Sequence, residues 1–367
     1  MGCFLCSPYI ISNGIYEYDG RTRELIKVTE MLGEAVVVIR ASDNVSNIRE
    51  YKCFCNLREK SYPQFIIFCI KVALSCPQVD ILFIDNRKAI IPGIIINLLK
   101  HPKYIIQDMR ELYVFNEIKS ISGKVGCLLE RFMLPRVNQV IVANEFRAKY
   151  IQKKYNLKTK PLVYENIRKL SYDKEVDFEQ LEHKFEKKFN RKTIKIISTS
   201  GYLIDRTNDV LVSAMKKLGN SYELFLVGDG PERDRIKILD IIKRERLKNV
   251  HLLGKLKEND LKYVIGKCDI GVVNYHMRDT NNRYCASGKI YEYLFEGLPV
   301  VTTENPPLTE FCLKYSVGIA DNTYSKGILE ISKNIEKYGH NVSTFIKTFD
   351  SNENNVNLMR NLRKGMQ

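Results

Sequence analysis

"LFLVGDGPERDRI", residues 224–236, decides how this chain is read. Four apolar residues describe a strand that ends at Val227. Gly228, Asp229, Gly230 and Pro231 form a turn, and an acidic residue opens the helix that follows. Glycines at such a turn let a ligand approach the backbone closely, and the helix start offers unpaired N–H groups. The same punctuation also serves as a plain strand-to-helix turn in any α/β protein, so alone it identifies no ligand.

The rhythm continues outward in both directions. The sequence predicts strands at 193–200, 222–228, 249–254, 269–274, 298–303 and 316–320 in the second half. In the first half it predicts strands at 3–11, 35–40, 79–85, 103–108 and 139–143, with helices at 20–33, 63–76, 88–100, 116–134 and 145–155. Apolar strands separated by amphipathic helices imply parallel sheets covered on both faces. Between the two series, "SYDKEVDFEQLEHKFEKKFNRK" (171–192) is dense in charge and reads as a solvated linker, with room for one helix. Two doubly wound domains follow, and such sheets bind ligands beyond the carboxyl ends of their strands, here in a cleft between domains.

Composition narrows the partners. A chain of 367 residues with 44% hydrophobic content fills two cores, and its net charge of +15 favours an anionic partner such as phosphate or an acidic membrane. Lys and Arg are spread through most segments rather than gathered in one arm, which argues against nucleic acid. The ten cysteines form no second CxxC beside Cys3 and Cys6, and no His cluster supports a metal. Most lie in apolar runs, so reduced thiols in a cytoplasm are expected, with no secretory signal pattern. The apolar run at 65–76 carries Lys71 and is too short to span a bilayer.

Two further stretches place charge at strand ends. "STSGYLIDRTNDVLVSAM" (198–215) is strand, Gly201, a loop bearing Arg206, then helix. "SGKIYEYLFEGLPVVTT" (287–303) puts Lys289 and Glu292 three residues apart on one helix face, just after Ser287 and Gly288. An ordinary surface Arg and a weak surface ion pair would explain both. At a cleft, a Lys would instead neutralise a diphosphate, and a carboxylate would accept hydrogen bonds from sugar hydroxyls.

In order, strand-Gly-loop-Arg, "VGDGPE" (227–232), "NVHLLGKL" (249–256), "CDIGVVNY" (268–275) and "SGKIYEYLFEGLPVVTT" strongly resemble the second half of GT-B glycosyltransferases. The match is nearest to the retaining family 4 and its relatives in bacterial polysaccharide synthesis. "YDGRTRELIKVTEML" (18–32), "VDILFIDNRKAIIPGI" (79–94), "IIQDMRELY" (105–113) and "NQVIVANEFRAKYI" (138–151) resemble that family's acceptor domain, and "KPLVYENI" (160–167) its crossover. The resemblance implies an acceptor domain at 1–165, a linker at 166–192 and a nucleotide-sugar domain at 193–340. The helical tail at 341–367 would cross back to the first domain.

It also implies roles. Glu292 stands five residues before Gly297, where the family's second motif Glu grips the ribose. Arg206 would meet the donor diphosphate, and Lys289 would face phosphate or donor sugar. Gly201, Ser287 and Gly288 would border that site, and Gly228, Asp229, Gly230 and Pro231 would line base and ribose. Tyr284 stands where the first motif Glu falls, and Tyr202 where an Arg often follows the glycine. On the acceptor side, Asp108, Arg110 and Glu111 follow a strand, Arg21 and Arg23 follow the first strand's loop, and Gly14 is the one glycine of "SPYIISNG" (7–14). The family implies a nucleotide-sugar co-substrate, no metal or other cofactor, and a saccharide or lipid-linked acceptor at the inner face of the membrane. The apolar helices at 65–76 and 90–99 are compatible with contact to an anionic membrane there. Rival readings are a sugar-nucleotide epimerase or hydrolase on the same fold, a catalytically silent relative, and a basic nucleic-acid-binding protein.

Overall fold

The computed structural model describes residues 7–15, 19–41, 52–54 and 61–367, which divide into two units. The first comprises the described residues up to Asn166 together with Ser351–Gln367; the second is Ile167–Asp350.

The first unit is built on a seven-stranded sheet: β1 (Pro8–Ile15), β2 (Val36–Ala41), β3 (Lys52–Phe54), β4 (Ile81–Asp85), β5 (Tyr104–Met109), β6 (Gln139–Val142) and β7 (Leu162–Val163). Their order is β3-β2-β1-β4-β5-β6-β7, and every pair is parallel. The helices are α1 (Gly20–Glu30), α2 (Tyr62–Ser75), α3 (Ile90–Lys100), α4 (Ile121–Met133) and α5 (Glu145–Tyr155). Short polar residues start them: Asp19 accepts from the Thr22 N–H, and Asn144 from the Arg147 N–H. Strands β4 and β5 are buried throughout, as expected of parallel strands covered on both faces.

The second unit repeats the plan with β8 (Ile194–Ser198), β9 (Tyr222–Val227), β10 (Val250–Gly254), β11 (Ile270–Val273), β12 (Val300–Thr302) and β13 (Gly318–Ala320), ordered β10-β9-β8-β11-β12-β13 and all parallel. Its helices are α6 (Phe178–Phe189), α7 (Asn208–Leu218), α8 (Glu232–Arg244), α9 (Glu258–Gly266), α10 (Thr280–Arg283), α11 (Lys289–Phe295), α12 (Pro306–Tyr315), α13 (Ser325–Lys333) and α14 (Ile335–Thr348). Residues of β9 alternate between two cores: Phe225 packs with Ile197 and Tyr293, while Leu224 and Leu226 pack with Leu211 and Ile238. Helix α15 (Ser351–Met366) returns to the first unit, where Leu358 and Leu362 pack with Leu25 and Tyr164.

Four expectations change. The first strand runs from Pro8 to Ile15 rather than 3–11, residues 3–6 lying outside the described residues, so Gly14 sits within β1 and not in a loop after it. Strands β3 and β7 were not anticipated, being three and two residues long. The charged segment 171–192 is not simply a solvated linker: in α6 the i, i+4, i+8 series Leu181, Phe185, Phe189 faces inward, and Phe189 stacks on Phe225 at 4.6 Å. Of the tail, α14 stays in the second unit, where Val342 and Phe345 are buried, and only the part from Ser351 joins the first.

In each sheet the strand order reverses about the first strand, between β1 and β4 and between β8 and β11. Ligands of doubly wound sheets bind beyond the carboxyl ends at that reversal.

Candidate functional site

At the reversal in the second sheet, the loops after β8 and β9 lock together. Gly201 has φ +62° and Gly228 φ +117°, conformations that glycine adopts without strain. A Cβ on Gly201 would lie 2.1 Å from the Asp229 carbonyl oxygen, so no larger residue fits this crossing. The Gly201 N–H donates to the Val227 carbonyl at 2.9 Å. Asp229 is exposed and accepts from the Gly230 N–H at 2.8 Å, and Pro231 precedes α8.

A chain of buried polar groups then fixes the floor. Lys289 Nζ donates to Ser200 Oγ at 3.1 Å, Ser200 Oγ donates to Asn274 Oδ1 at 2.8 Å, and Asn274 Nδ2 donates to Asn208 Oδ1 at 2.9 Å. Asn208 in turn donates to the Gly201 and Leu203 carbonyls, both at 3.1 Å. Helix α11 is held against the sheet because Gly271 leaves room for the Tyr293 ring, whose hydroxyl accepts the Thr199 N–H at 2.9 Å. Lys289 and Arg206 thereby stand at the ends of β8 and β11.

Arg206 closes a short 3-10 turn, Ile204–Arg206. Its guanidinium lies 3.9 Å from the centre of the Tyr275 ring and donates to Asn282 Oδ1 at 3.2 Å. Asn282 is oriented by Asp279, whose two carboxylate oxygens accept from Asn282 Nδ2 at 2.9 and 3.1 Å, and by Asn305, whose Nδ2 donates to the Asn282 backbone carbonyl at 2.8 Å. Among the described residues neither Lys289 nor Arg206 forms an ion pair. Burial first, and the Arg206 charge second, lower the Lys289 ammonium from 10.5 to about 8. Two adjacent cations without a carboxylate between them form a site for a multiply charged anion.

Glu292 is 3% exposed and does not pair with Lys289; its carboxylate meets Arg168 at 3.1 Å. Burial raises its pKa, and Arg168 and Lys289 pull it back. Ser287 is buried with a hydroxyl that no group among the described residues satisfies, a free donor for a bound ligand. Gly288 caps α11, Tyr202 is buried, and Tyr284 ends α10. The sequence reading missed Ser200, Asn274, Asn282 and Arg168. Asn274 was the polar end of an apolar strand, which is a usable signal; Arg168 lay unnoticed in the segment read as linker.

The charged acceptor-side candidates Arg21, Asp108, Arg110 and Glu111 of the first unit are engaged in ion pairs. Arg21 makes a two-pronged pair with Asp108 at 2.7 and 2.8 Å and donates to the Tyr164 carbonyl at 2.7 Å. Arg110 bridges Asp85 and Asp19 and donates to Thr22 Oγ1 at 2.7 Å. Burial raises the Asp85 pKa; for Asp19 burial also pushes upward, but Arg110 and the Thr22 N–H bring it below the usual carboxylate range. Glu111 is half-exposed, 3.8 Å from Arg147. Among the described residues, no cluster of three or more His, Cys, Asp or Glu is placed to hold a metal ion. Cys69, Cys127, Cys268 and Cys312 are free thiols and buried, and Cys76 and Cys285 are buried as well.

Two parallel doubly wound units, with polar and cationic groups at the reversal point of the second, define the GT-B architecture. Within the second unit, residues 195–321 match the model of the group 1 glycosyl transferases. No curated protein sequence matches the chain. Among solved structures it is similar to Anabaena HepE in complex with UDP and glucose (TM-score 0.72, 16% identity, 98% of this chain and 100% of that one). It is also similar to sucrose-phosphate synthase from Thermosynechococcus elongatus (TM-score 0.73, 14% identity, 97% and 98% covered). A putative UDP-N-acetylglucosamine 2-epimerase from Listeria monocytogenes is more distant (TM-score 0.58, 11% identity, 92% and 90% covered). At these identities the likeness is one of fold.

Proposed function

We propose that the protein is a glycosyltransferase that moves a hexose from a UDP- or GDP-linked donor, with retention, to a saccharide or lipid-linked acceptor in cell-surface polysaccharide synthesis. One observation carries this reading: Lys289 and Arg206, both without an ion-pair partner among the described residues, stand beside buried Glu292 at the reversal point of the sheet that matches the glycosyl transferase family. The HepE and sucrose-phosphate synthase folds add support.

In this mechanism the bond from the sugar's anomeric carbon to the β-phosphate oxygen breaks, and its electron pair stays on the nucleoside diphosphate. Lys289 and Arg206 stabilise the charge that grows there, the largest single electrostatic task in such a transfer. Glu292, held in place by Arg168, accepts hydrogen bonds from the ribose hydroxyls. Gly228 to Pro231 border the base, and Ser287 donates its unsatisfied hydroxyl to a donor oxygen. The acceptor hydroxyl oxygen bonds to the anomeric carbon and its proton departs to solvent or base. Lipid-linked acceptors would bring the protein to the inner face of the membrane.

A thermal-shift panel of UDP- and GDP-linked sugars tests the donor class, because a ligand that binds only the folded state raises apparent stability. Expected is a clear rise with one nucleotide series that is lost in Glu292→Ala. No rise with any nucleotide sugar would overturn the reading. Incubation of donor without acceptor separates transfer from epimerisation: formation of an epimer would favour the latter.

A further inference from the structure

Helix α4 carries two apolar stripes. Cys127 and Met133 face the core of the first unit. Ile121, Val125, Leu128 and Phe132 follow at i, i+4, i+7 and i+11 on one face, and they are 83%, 48%, 54% and 50% exposed. A surface helix of a soluble domain keeps that outer face polar, so four large apolar side chains in a row mark an interaction surface. The stripe continues sideways. Helix α3 packs on α2 and α4, and it exposes Leu98 and Leu99 while α2 exposes Ile67 and Leu74.

The charges around the stripe choose its partner. Between residues 118 and 138 the charged side chains are Lys119, Lys124, Glu130, Arg131 and Arg136. Glu130 is buried on Arg87 at 2.7 Å, so on the outer surface Lys119, Lys124, Arg131 and Arg136 outnumber the exposed acid beside them, Glu117 of the turn that packs on α4. Arg136 lies with its guanidinium 4.0 Å from the centre of the Phe132 ring, and Lys124 lies 5.4 Å from that of Phe115, so cations border the apolar row. Next to it a cavity of about 620 Å³ combines Phe115, Leu128, Pro135 and Tyr155 with Arg131 and Lys154. The neighbouring α5 adds exposed Lys149 and Lys153. An apolar row bordered by an excess of cations is the pattern of a helix lying in the headgroup layer of an acidic bilayer. No described helix is long and apolar enough to cross one.

We propose that the outer face of α4 docks the protein on anionic phospholipid membranes, with Ile121, Val125, Leu128 and Phe132 inserted among the acyl chains. Lys119, Lys124, Arg131 and Arg136 contact the headgroup phosphates. This deepens the lipid-linked-acceptor part of the proposed function and is independent of the donor chemistry. Among the described residues, α4 supplies a longer exposed row than the apolar helices at 65–76 and 90–99.

The test is co-sedimentation of the full chain with vesicles of phosphatidylcholine alone and of phosphatidylcholine mixed with phosphatidylglycerol. The wild type is expected on the mixed vesicles and not on the neutral ones, and release by salt is expected. The quadruple variant I121S/V125S/L128S/F132S is expected to lose at least about tenfold in partitioning, because both apolar burial and headgroup attraction are needed. Circular dichroism checks that it remains folded, and nucleotide-sugar binding in solution, expected unchanged, separates this proposal from the donor reading. Equal binding of variant and wild type, or no binding of the wild type to acidic vesicles, would overturn it. So would a dimer in sedimentation velocity that the four substitutions dissolve while vesicle binding persists.

Discussion

Lys289 gives the donor site a defined pH signature. Its ammonium is lowered to about 8 by burial and by Arg206, whereas a bound diphosphate would restore it toward its ordinary value or above. Binding of UDP therefore takes up a proton wherever the free site has lost one. Between pH 7 and pH 9 the charged fraction of a group at about 8 falls from roughly nine-tenths to one-tenth, so affinity should fall about tenfold, or about 1.4 kcal/mol. UDP contributes little to this slope, since its terminal phosphate is ionised above about pH 6. Isothermal titration calorimetry across that range, in two buffers of different ionisation enthalpy, reads both affinity and protons; about half a proton should be taken up at pH 8. Lys289→Met should bind more weakly at pH 7 and show no slope. The stability sign runs the other way. The folded group has the lower pKa, so the unfolded chain holds more protons between about 8 and 10.5, and stability rises with pH across that window. Below it the buried charge costs at most roughly 3 kcal/mol, so Lys289→Met should melt higher than wild type at pH 7 without ligand. A wild-type affinity that is flat from pH 7 to 9, or an equal slope in the variant, would refute the assignment.

Other expectations are independent of that slope. Glu292→Gln keeps the shape and removes the charge; UDP affinity should fall by about 1.5–3 kcal/mol in calorimetry, the range for hydrogen bonds to a charged group. Gly201→Ala forces a Cβ toward the Asp229 carbonyl at a positive φ, so urea unfolding of the second unit should show a loss of at least about 2 kcal/mol. Arg110→Met leaves Asp85 buried without its partner; it should cost about 3–5 kcal/mol of stability while UDP binding by the surviving folded protein stays unchanged. A stable Arg110→Met that loses only transfer would instead place Arg110 at the acceptor.

Much of this architecture was legible because fully apolar runs such as "LFLV" and "ILFI" have one home, a parallel strand covered on both sides. Strands β3 and β7 escaped because two or three edge residues carry no periodicity. Helix α6 had room in the charged segment, but its buried face escaped because Leu181, Phe185 and Phe189 are diluted by charge at the intervening positions. The donor-side cluster was half legible: glycine turns and the Lys289–Glu292 spacing are local, and local features survive in a sequence. Partners that meet only through the fold did not. Arg168 reaches Glu292 across more than a hundred residues, and Ser200 meets Lys289 across 89. In the first unit, Arg110 finds Asp85 and Asp19 only after strands β1, β4 and β5 are side by side, so its partners could not be read from local spacing.

The central claim is that Lys289 and Arg206 form the seat of a nucleoside diphosphate. A crystal structure of the protein with UDP bound tests it most directly. The account predicts β-phosphate oxygens within about 3 Å of Lys289 Nζ and of the Arg206 guanidinium, with a ribose hydroxyl on Glu292. A diphosphate seated away from the ends of β8 and β11, with Lys289 still bonded only to Ser200, would contradict it.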